Sequence, residues 1–272
     1  MIMKIHCWGG LGSQLFALAL AHDLKSQHPN RKISLVLHTS GVTLRRSELD
    51  FISVKIYPIF QVNDFQADYK NKLSGNRSST TFFKSIIKKS LVASKFICVG
   101  NTDLDLKKIR PWTISLRGHY FDRKISPSFF DYLLLSLDLK VEDLDPSKFE
   151  LAIHYRMGDL LNLTEKSFAP AEKIVNQVNL VARDKEKIKI TVYSDSPIEA
   201  KEQLIAAGLK QNFTVREVAT VQVIRECINV DFFIGTSSKV SLWIVNLRRY
   251  LGRLNNNYLE GFDSHLFIPT NK

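Results

Sequence analysis

The chain has 272 residues, enough for one large domain or two smaller ones, and its 44% hydrophobic and 24% charged content is ordinary for a soluble globular protein. Its net charge of +11 implies an acidic partner, a class that includes nucleotides, anionic polysaccharides, lipid headgroups and nucleic acid. Three distant cysteines without a CxxC pair argue against a zinc site and a disulfide framework, and they favour a reducing compartment.

The chain shows no targeting segment. Its first eight residues lead directly into a glycine turn, which is too short a start for a secretory signal. No apolar run approaches the ~20 residues of a membrane-spanning helix. The positive charge is scattered and no nucleic-acid-binding motif accompanies it. We therefore predict a cytoplasmic protein whose acidic partner is not nucleic acid.

A strand, a glycine turn and a helix open the chain. Residues 4–8 alternate as a strand does, residues 9–12 form a tight turn, and Ser13 is the predicted cap of a helix that continues to about residue 27. Free backbone N–H groups at such a helix start suit an anion, although a plain βα turn has the same pattern. The turn matches neither a GxGxxG fingerprint nor a P-loop, and no acidic residue ends the strand at 33–37.

A polar and basic stretch spans residues 70–89, with a predicted loop at 75–79. Its last part combines Lys84, Lys88 and Lys89 with apolar residues at 86, 87 and 91. Two interpretations are open: an amphipathic face that contacts an anionic membrane, or a buried helix with solvated lysines.

The triplet Asp103-Leu104-Asp105 follows a predicted strand at 96–99. Paired carboxylates of this kind hold a divalent ion against a diphosphate in metal-dependent enzymes. Chance or a helix start accounts for so short a pattern more often, and residues 143–145 repeat it. We predict no metal site.

From residue 116 onward the chain alternates between strands and helices. An apolar strand ends at 116–121 and leads to a helix through 129–137. The later strands are predicted at 151–155, 188–193, 213–218 and 231–234. The later helices are predicted at 170–184, from 194–197 to Gly208, at 221–229, and from 235–238 to 250. This rhythm predicts a parallel, doubly wound sheet.

Polar side chains follow three of these strands. They are His154, Arg156 and Asp159 after the first, Ser194 and Asp195 after the second, and Thr236, Ser237 and Ser238 after the last. Parallel neighbours bring their carboxyl ends to one edge, where open α/β sheets bind ligands. The arginine fork suits phosphate, whereas a structural pair with Asp159 explains it equally well. Each cluster alone is typical of a helix cap, but together they predict a nucleotide-diphosphate cleft.

Five segments, in chain order, resemble those of the bacterial α-1,2-fucosyltransferases, glycosyltransferase family 11. The family has GGLGNQLF, GYWQ or GYFQ, HxRRGD, FSDDP and SNSSFSWW; this chain has GGLGSQLF at 9–16, GHYF at 118–121, HYRMGD at 154–159, YSDSP at 193–197 and GTSSKVSLW at 235–243. The departures include Ser13 for asparagine, Met157 for the second arginine, and Val240 and Leu242 for aromatic residues. The chain is identified as a divergent member, because five ordered motifs are specific where one is not.

The resemblance implies an α/β, GT-B-like fold in which two Rossmann-like domains with parallel sheets face a cleft. Residues 1–145 would form the acceptor-side domain and 146–253 the nucleotide-sugar-binding domain. Residues 254–272 would form a tail that returns to the first domain.

The implied activity is that of an inverting, metal-independent glycosyltransferase without a cofactor, which moves L-fucose from GDP-fucose to a glycan hydroxyl, with α-1,2 linkage, in surface polysaccharide or O-antigen synthesis. Arg156 and helix N-termini would stabilise the departing diphosphate. The other donor-binding residues would be His154 and Asp195 at the guanosine, with Ser194, Thr236, Ser237 and Ser238. The acceptor-side residues would be Gly10, Gly12, Ser13, Gln14, His119 and Tyr120. Asp159 is a catalytic candidate as general base, although a structural pair with Arg156 is preferred.

Two alternatives to this function stay open. Ser13 and Met157 permit another donor, such as GDP-colitose. A non-catalytic nucleotide or glycan binder is the second, and the retained Arg156, Asp159 and Asp195 argue against it. The predicted partners are a nucleotide sugar, a glycan or lipid-linked oligosaccharide acceptor, and, peripherally, the anionic inner face of the plasma membrane.

Overall fold

The computed structural model describes most of the chain, in two units. The described residues are 2–39, 46–51, 57–62, 79–100, 106–121, 123–139, 144–145, 147–158, 169–183, 185 and 187–261, without the side chains of 79–85. The units are Met1–Tyr132 and Leu133–Ile268. The domain boundary predicted after residue 145 stays a prediction.

Five parallel strands form the sheet of the first unit. They are β1 (Ile2–Trp8), β2 (Lys32–His38), β3 (Ile59–Val62), β4 (Ile97–Val99) and β5 (Ser115–Arg117), in the spatial order β3-β2-β1-β5-β4. The accompanying helices are α1 (Leu11–Gln27) and α2 (Ser79–Ala93), and α3 (Pro127–Ser136) runs across the break into the second unit. All five carboxyl ends therefore lie at the same edge of this sheet.

The second unit repeats the plan. Its strands are β6 (Phe149–His154), β7 (Ile188–Tyr193), β8 (Phe213–Arg216), β9 (Phe232–Gly235) and β10 (Asn257–Leu259), all parallel, in the order β10-β9-β6-β7-β8. Between them lie α4 (Ala171–Ala182), α5 (Pro197–Ala206), α6 (Thr220–Ile228) and α7 (Lys239–Tyr250). The predicted α/β class with two parallel sheets is confirmed.

In each sheet, the order in which successive strands are added reverses at one strand, the topological switch point. The second sheet grows from β6 through β7 to β8, and then continues on the other side of β6 with β9 and β10. The first sheet grows from β1 through β2 to β3, and β5 then pairs with the free side of β1. Such switch points open a crevice at the carboxyl ends of the strands, where ligands of doubly wound sheets bind.

Burial explains why these segments form their elements. Strand β2 has six consecutive buried residues, as expected of a strand covered on both faces. Helix α1 is buried almost all round, so it has no amphipathic pattern to read. In the second unit, Leu151 and Ile153 of β6 pack with Ile174 and Val178 of α4 in the core. Burying one such side chain is worth about 1.5–3 kcal/mol.

Two short strands were not predicted from the sequence. Strand β3 has four residues and β10 has three, and both lie at the outer edges of their sheets. So few residues carry little periodic signal. Strand β10 belongs to the segment predicted as a returning tail. The rest of that tail, residues 262–272, lies outside the described residues, and its return to the first domain stays a prediction.

Helix α2 extends beyond the basic stretch that was read from the sequence. Ile86 and Ile87 are exposed beside Lys88 and Lys89, so the buried-helix interpretation is wrong at these positions. In the part of the chain that the structure describes, no helix has both the length and the apolarity that a bilayer crossing needs.

Candidate active site

The switch point of the second sheet brings three polar segments together. His154 ends β6 and is the register partner of Tyr193 on β7 and of Gly235 on β9. The chain therefore leaves all three strands at one edge, and residues 155–158, 194–196 and 236–238 follow there. The strand register alone brings these three segments to the same edge. The functional roles predicted for their residues remain predictions.

The carboxylate of Asp195 braces the segment that carries Arg156. Its Oδ1 accepts the backbone N–H groups of Met157 and Gly158, each at 2.9 Å. A Cβ added at Gly158 would fall 2.2 Å from Oδ2 of Asp195, so only glycine fits this approach. Asp195 thus fixes the conformation of the Arg156 segment.

Arg156 stands beside this brace. Its backbone N–H donates to Oγ1 of Thr236 at 3.1 Å, and its Nε lies 4.0 Å from Oδ2 of Asp195. Its side chain is 29% exposed, so an outside ligand can reach it. Met157, which replaces the second arginine of the family motif, is fully buried in the core. The side chain of Met157 therefore packs in the core and is not exposed to a ligand.

Thr236 and Ser238 use their hydroxyls within the protein. Thr236 Oγ1 donates to the carbonyl of His154 at 3.0 Å while it accepts from Arg156, which links β9 to β6. Ser238 caps α7, since its Oγ accepts from the backbone N–H groups of Val240 and Ser241. Ser237 between them is exposed. It is therefore the hydroxyl of this segment that faces solvent.

His154 is buried and electrically neutral near physiological pH. Its Nδ1 lies 2.7 Å from Oγ of Ser241, a residue that was not among the predicted site residues. Burial, and secondarily the positive charge of Arg156, lower the pKa of His154 to about 4, against an opposing effect of Asp195. Ser194 is also buried, and its Oγ accepts the N–H of Ser196 at 3.1 Å.

Asp159 lies outside the described residues. Its predicted role as base or as partner of Arg156 stays a prediction. Asp103 and Asp105 also lie outside them. Within the described part of the chain, no three histidine, cysteine or acidic residues are placed to hold a metal ion.

The glycine turn of the first unit differs from its prediction. Gly10 is the N-cap and α1 begins at Leu11, so the predicted cap at Ser13 is wrong and Ser13 lies in the first helical turn. Gly9 has φ +107°, which a residue with a side chain rarely adopts. The N–H of Leu11 donates to the carboxylate of Glu48 at 2.6 Å. The protein's own acidic group therefore uses part of the anion-binding geometry that the sequence indicated.

Gln14 ties a second segment to this turn. Its Nε2 donates to the carbonyls of Gly9 and Arg46 at 3.2 and 2.9 Å, and its Oε1 accepts the N–H of Glu48 at 2.9 Å. It is 1% exposed. Gly12, another of the predicted acceptor-side residues, is also buried within α1. Gln14 therefore holds the turn at the carboxyl end of β1 against the segment of Arg46 and Glu48.

His119 and Tyr120 are placed differently from each other. His119 is exposed, whereas Tyr120 is buried, has φ +56° and donates its hydroxyl to the carbonyl of His6 at 3.0 Å. Burial raises the pKa of Tyr120 well above its ordinary value. Tyr120 therefore supports the end of β1 as a neutral phenol.

Sequence reasoning missed a cluster at the ends of β1 and β2. Nδ1 of His6 lies 2.9 Å from Nε2 of His38, and the rings of His38 and Trp8 stack with centroids 4.2 Å apart. In such a pair one ring nitrogen donates and the other accepts, in an order that the tautomers determine. Polar residues at the ends of apolar strands were the available signal, and it was read only in the second half of the chain.

Comparisons with known proteins find similar solved structures at low sequence identity. No protein-family model matches the chain, and no curated protein matches it. Similar solved structures include NodZ α-1,6-fucosyltransferase soaked with GDP-fucose (12% identity, 92% of this chain and 93% of that chain, TM-score 0.42). Others are E. coli heptosyltransferase WaaC with ADP (11%, 97% and 94%, 0.46) and a glycosyl transferase family 9 protein from Veillonella parvula (12%, 97% and 88%, 0.47).

These three neighbours are glycosyltransferases by their own descriptions, and UDP-N-acetylglucosamine 2-epimerases are also among the similar structures. At identities near a tenth and TM-scores below 0.5, these similarities assign no activity to the chain. Membership of glycosyltransferase family 11 stays a prediction.

Proposed function

We propose that the chain is an inverting glycosyltransferase that moves L-fucose from GDP-fucose to a glycan hydroxyl, with α-1,2 linkage, in surface polysaccharide or O-antigen synthesis. The observation that carries the proposal is the brace of Asp195 on the backbone of residues 157 and 158. It fixes the chain directly after a partly exposed arginine at the switch point of a doubly wound sheet, within a segment that resembles the family's HxRRGD motif.

The proposed reaction needs a group that stabilises the negative charge of the departing diphosphate. The acceptor oxygen forms a bond to the anomeric carbon while the bond from that carbon to the phosphate oxygen breaks, and the acceptor proton passes to a base. GDP departs with additional negative charge. The planar guanidinium of Arg156 offers two parallel donors to phosphate oxygens, so it would stabilise that charge as it develops.

The surroundings of Arg156 would orient the nucleotide. The neutral imidazole of His154 and the exposed hydroxyl of Ser237 lie on the same edge, while Thr236 and Ser238 hold the backbone around them. The partners would be a nucleotide sugar and a glycan or lipid-linked oligosaccharide acceptor, in the cytoplasm. Preorganised donors of this kind lose little free energy to reorganisation during the reaction.

Calorimetry followed by a hydrolysis screen tests the function. GDP should bind more tightly than UDP or ADP, and GDP-fucose should be hydrolysed slowly without acceptor. Hydrolysis of GDP-colitose in preference to GDP-fucose would favour the alternative donor. GDP binding with no turnover of any nucleotide sugar would favour the non-catalytic binder.

Arg156 gives the sharpest test by mutation. Arg156→Ala should slow turnover by about two to three orders of magnitude, the usual effect of losing one key transition-state donor. Arg156→Lys should restore little, because a point charge does not replace a planar fork. Steady-state kinetics measures both variants, and near-normal turnover of Arg156→Ala would rule out its assigned role.

A further inference from the structure

Apolar side chains are exposed at the amino-terminal edge of the first sheet and on the adjoining helix. Phe96 precedes β4 and is 38% exposed, and Ile114 precedes β5 and is 36% exposed. Trp112 is 47% exposed and Ile87 of α2 is 58% exposed. This edge is opposite the carboxyl edge of the same sheet, which carries the glycine turn.

Hydrogen bonds link the segments that carry these residues. The indole N–H of Trp112 donates to the carbonyl of Ser94 at 2.9 Å, just after α2 ends. Ser94 follows Ile87 by seven residues and continues the helical hydrogen bonding, so the two share one helix face. The N–H of Ile114 donates to the carbonyl of Phe96 at 3.0 Å.

The loop that displays Trp112 is held rigidly. Thr113 is fully buried, donates its hydroxyl to the carbonyl of Lys95 at 2.7 Å and accepts the N–H of Arg110 at 2.9 Å. The guanidinium of Arg31 donates to the carbonyls of Pro111 and Thr113. An outward tryptophan on a loop tied in this way has its exposed position fixed before any partner arrives, which reduces the entropy lost on binding.

The segments that carry these apolar residues are rich in positive charge. Between residues 84 and 117 the sequence has eight lysines and arginines and two acidic residues, Asp103 and Asp105. The described part of this range, 84–100 and 106–117, contains no acidic residue. We call the following set the edge patch: Ile87, Phe96, Trp112 and Ile114 with Lys88, Lys89, Lys95, Lys107, Lys108 and Arg110.

We propose that the edge patch binds the surface of an anionic phospholipid bilayer. Tryptophan prefers the membrane–water interface, isoleucine and phenylalanine enter the acyl boundary, and lysines are attracted to anionic headgroups. Nucleic acid would bind the lysines through its phosphates, but it offers no apolar environment for the exposed side chains of Ile87 and Ile114. The inference is independent of the proposed transferase activity. Docking through this edge leaves the carboxyl edge of the first sheet clear of the membrane.

Vesicle flotation tests the charge of the patch. The protein should float with phosphatidylcholine vesicles that contain phosphatidylglycerol at low salt, and should not float with pure phosphatidylcholine. Raising the salt to ~0.5 M should release most of it, because exposed charges are then screened. Lys88→Glu with Lys89→Glu should weaken flotation about tenfold or more. The control, Lys201→Glu with Lys210→Glu, changes net charge equally at exposed lysines of the second unit and should bind nearly as the parent does.

A second measurement tests the apolar contact. Brominated phospholipids should quench the fluorescence of Trp112 on binding, and Trp112→Phe should remove that quenching while flotation remains. Trp112→Ala should weaken flotation more than Leu180→Ala, which truncates an exposed leucine of the second unit. Circular dichroism and thermal melts establish that each variant is folded before it is compared.

Several results would overturn the proposal. Equal flotation with neutral and anionic vesicles at low salt would do so, as would equal losses in the patch and control charge variants. If single-stranded RNA of equal phosphate content binds more tightly than vesicles, with the same dependence on Lys88 and Lys89, the patch is a nucleic-acid site. If light scattering shows a dimer that Trp112→Ala dissociates, without vesicle binding by the parent, it is a subunit interface.

Discussion

At the scale of single residues, Asp195 and Gly158 determine how Arg156 is presented. The carboxylate closes over two backbone N–H groups, and the absence of a Cβ at Gly158 allows its approach. The aspartate and the glycine were visible in the sequence, but their contact was not. Asp195 had been expected to contact the guanosine, and the structure adds a bracing role that accounts for the glycine.

Gly158→Ala should therefore damage the proposed site without unfolding the protein. The added methyl displaces the carboxylate of Asp195 and shifts Arg156, and a misplacement of about 1 Å can cost ~10²-fold in rate. GDP-fucose turnover should fall by about that factor, while the melting temperature changes little. Gly208→Ala offers a control with open space around the added Cβ, although its φ of +88° adds local strain. Unchanged turnover in Gly158→Ala would contradict the bracing role.

His154 should make stability depend on acidity in a defined window. Its folded pKa of about 4 lies below the ordinary 6.5, so the unfolded chain takes up a proton first as the pH falls. The free energy of unfolding should decrease from about pH 6.5 down to about pH 4, with a slope of at most about 1.4 kcal/mol per pH unit from this residue.

NMR titration of the His154 ring measures this directly. Its Cε1 proton should keep the chemical shift of a neutral imidazole down to about pH 5. His28, an exposed histidine in the same spectrum, serves as the comparison. A His154 midpoint near 6.5 would show that the ring is not desolvated as the structure has it.

At the scale of elements, helix starts differ in which group satisfies their backbone N–H groups. Helix α7 uses the hydroxyl of Ser238 as a local cap, whereas α1 has glycine at its N-cap and takes the distant carboxylate of Glu48. A cap supplied by a neighbour along the chain is readable from the sequence. A carboxylate 37 residues away is not.

The two adjacent serines before α7 should respond differently to mutation. Ser238→Ala should lower the free energy of unfolding of the second unit by about 1 kcal/mol, because two N–H groups lose their acceptor. Ser237→Ala, at an exposed hydroxyl, should change it by less than about 0.5 kcal/mol. Urea unfolding followed by circular dichroism compares them, and equal effects would contradict the capping assignment.

At the scale of the whole molecule, the excess of positive charge is compatible with both proposals made above. The excess of +11 suits a diphosphate leaving group at one edge and anionic headgroups at another. If the proposed function holds, we expect the enzyme to work without a metal ion, because arginine and helix N-termini can neutralise a diphosphate without a cation.

Transferase activity should therefore persist in excess EDTA. Asp103→Ala should have little effect, as should Asp145→Ala at the second copy of the same pattern. Initial rates with and without EDTA, and with added Mg²⁺ or Mn²⁺, make the measurement. A strict cation requirement that Asp103→Ala abolishes would revive the metal-dependent mechanism.

The sequence by itself determined the α/β alternation and a strand predicted at 151–155, which the structure gives as Phe149–His154, with Arg156 close after it. These follow from local patterns: apolar runs, glycine turns and serine caps act over a few residues. It failed for β3 and β10, because edge strands of three or four residues carry almost no periodicity.

Only the tertiary structure decided which polar groups meet. The hydrogen bond from Gly158 to Asp195 spans 37 residues, the His6–His38 contact spans 32, and the link from Thr236 to His154 spans 82. Strand order decides these contacts, and it depends on how the whole chain buries its apolar faces. Local sequence patterns therefore identify the polar residues at the strand ends, whereas the packing of the sheets determines which of them form hydrogen bonds with each other.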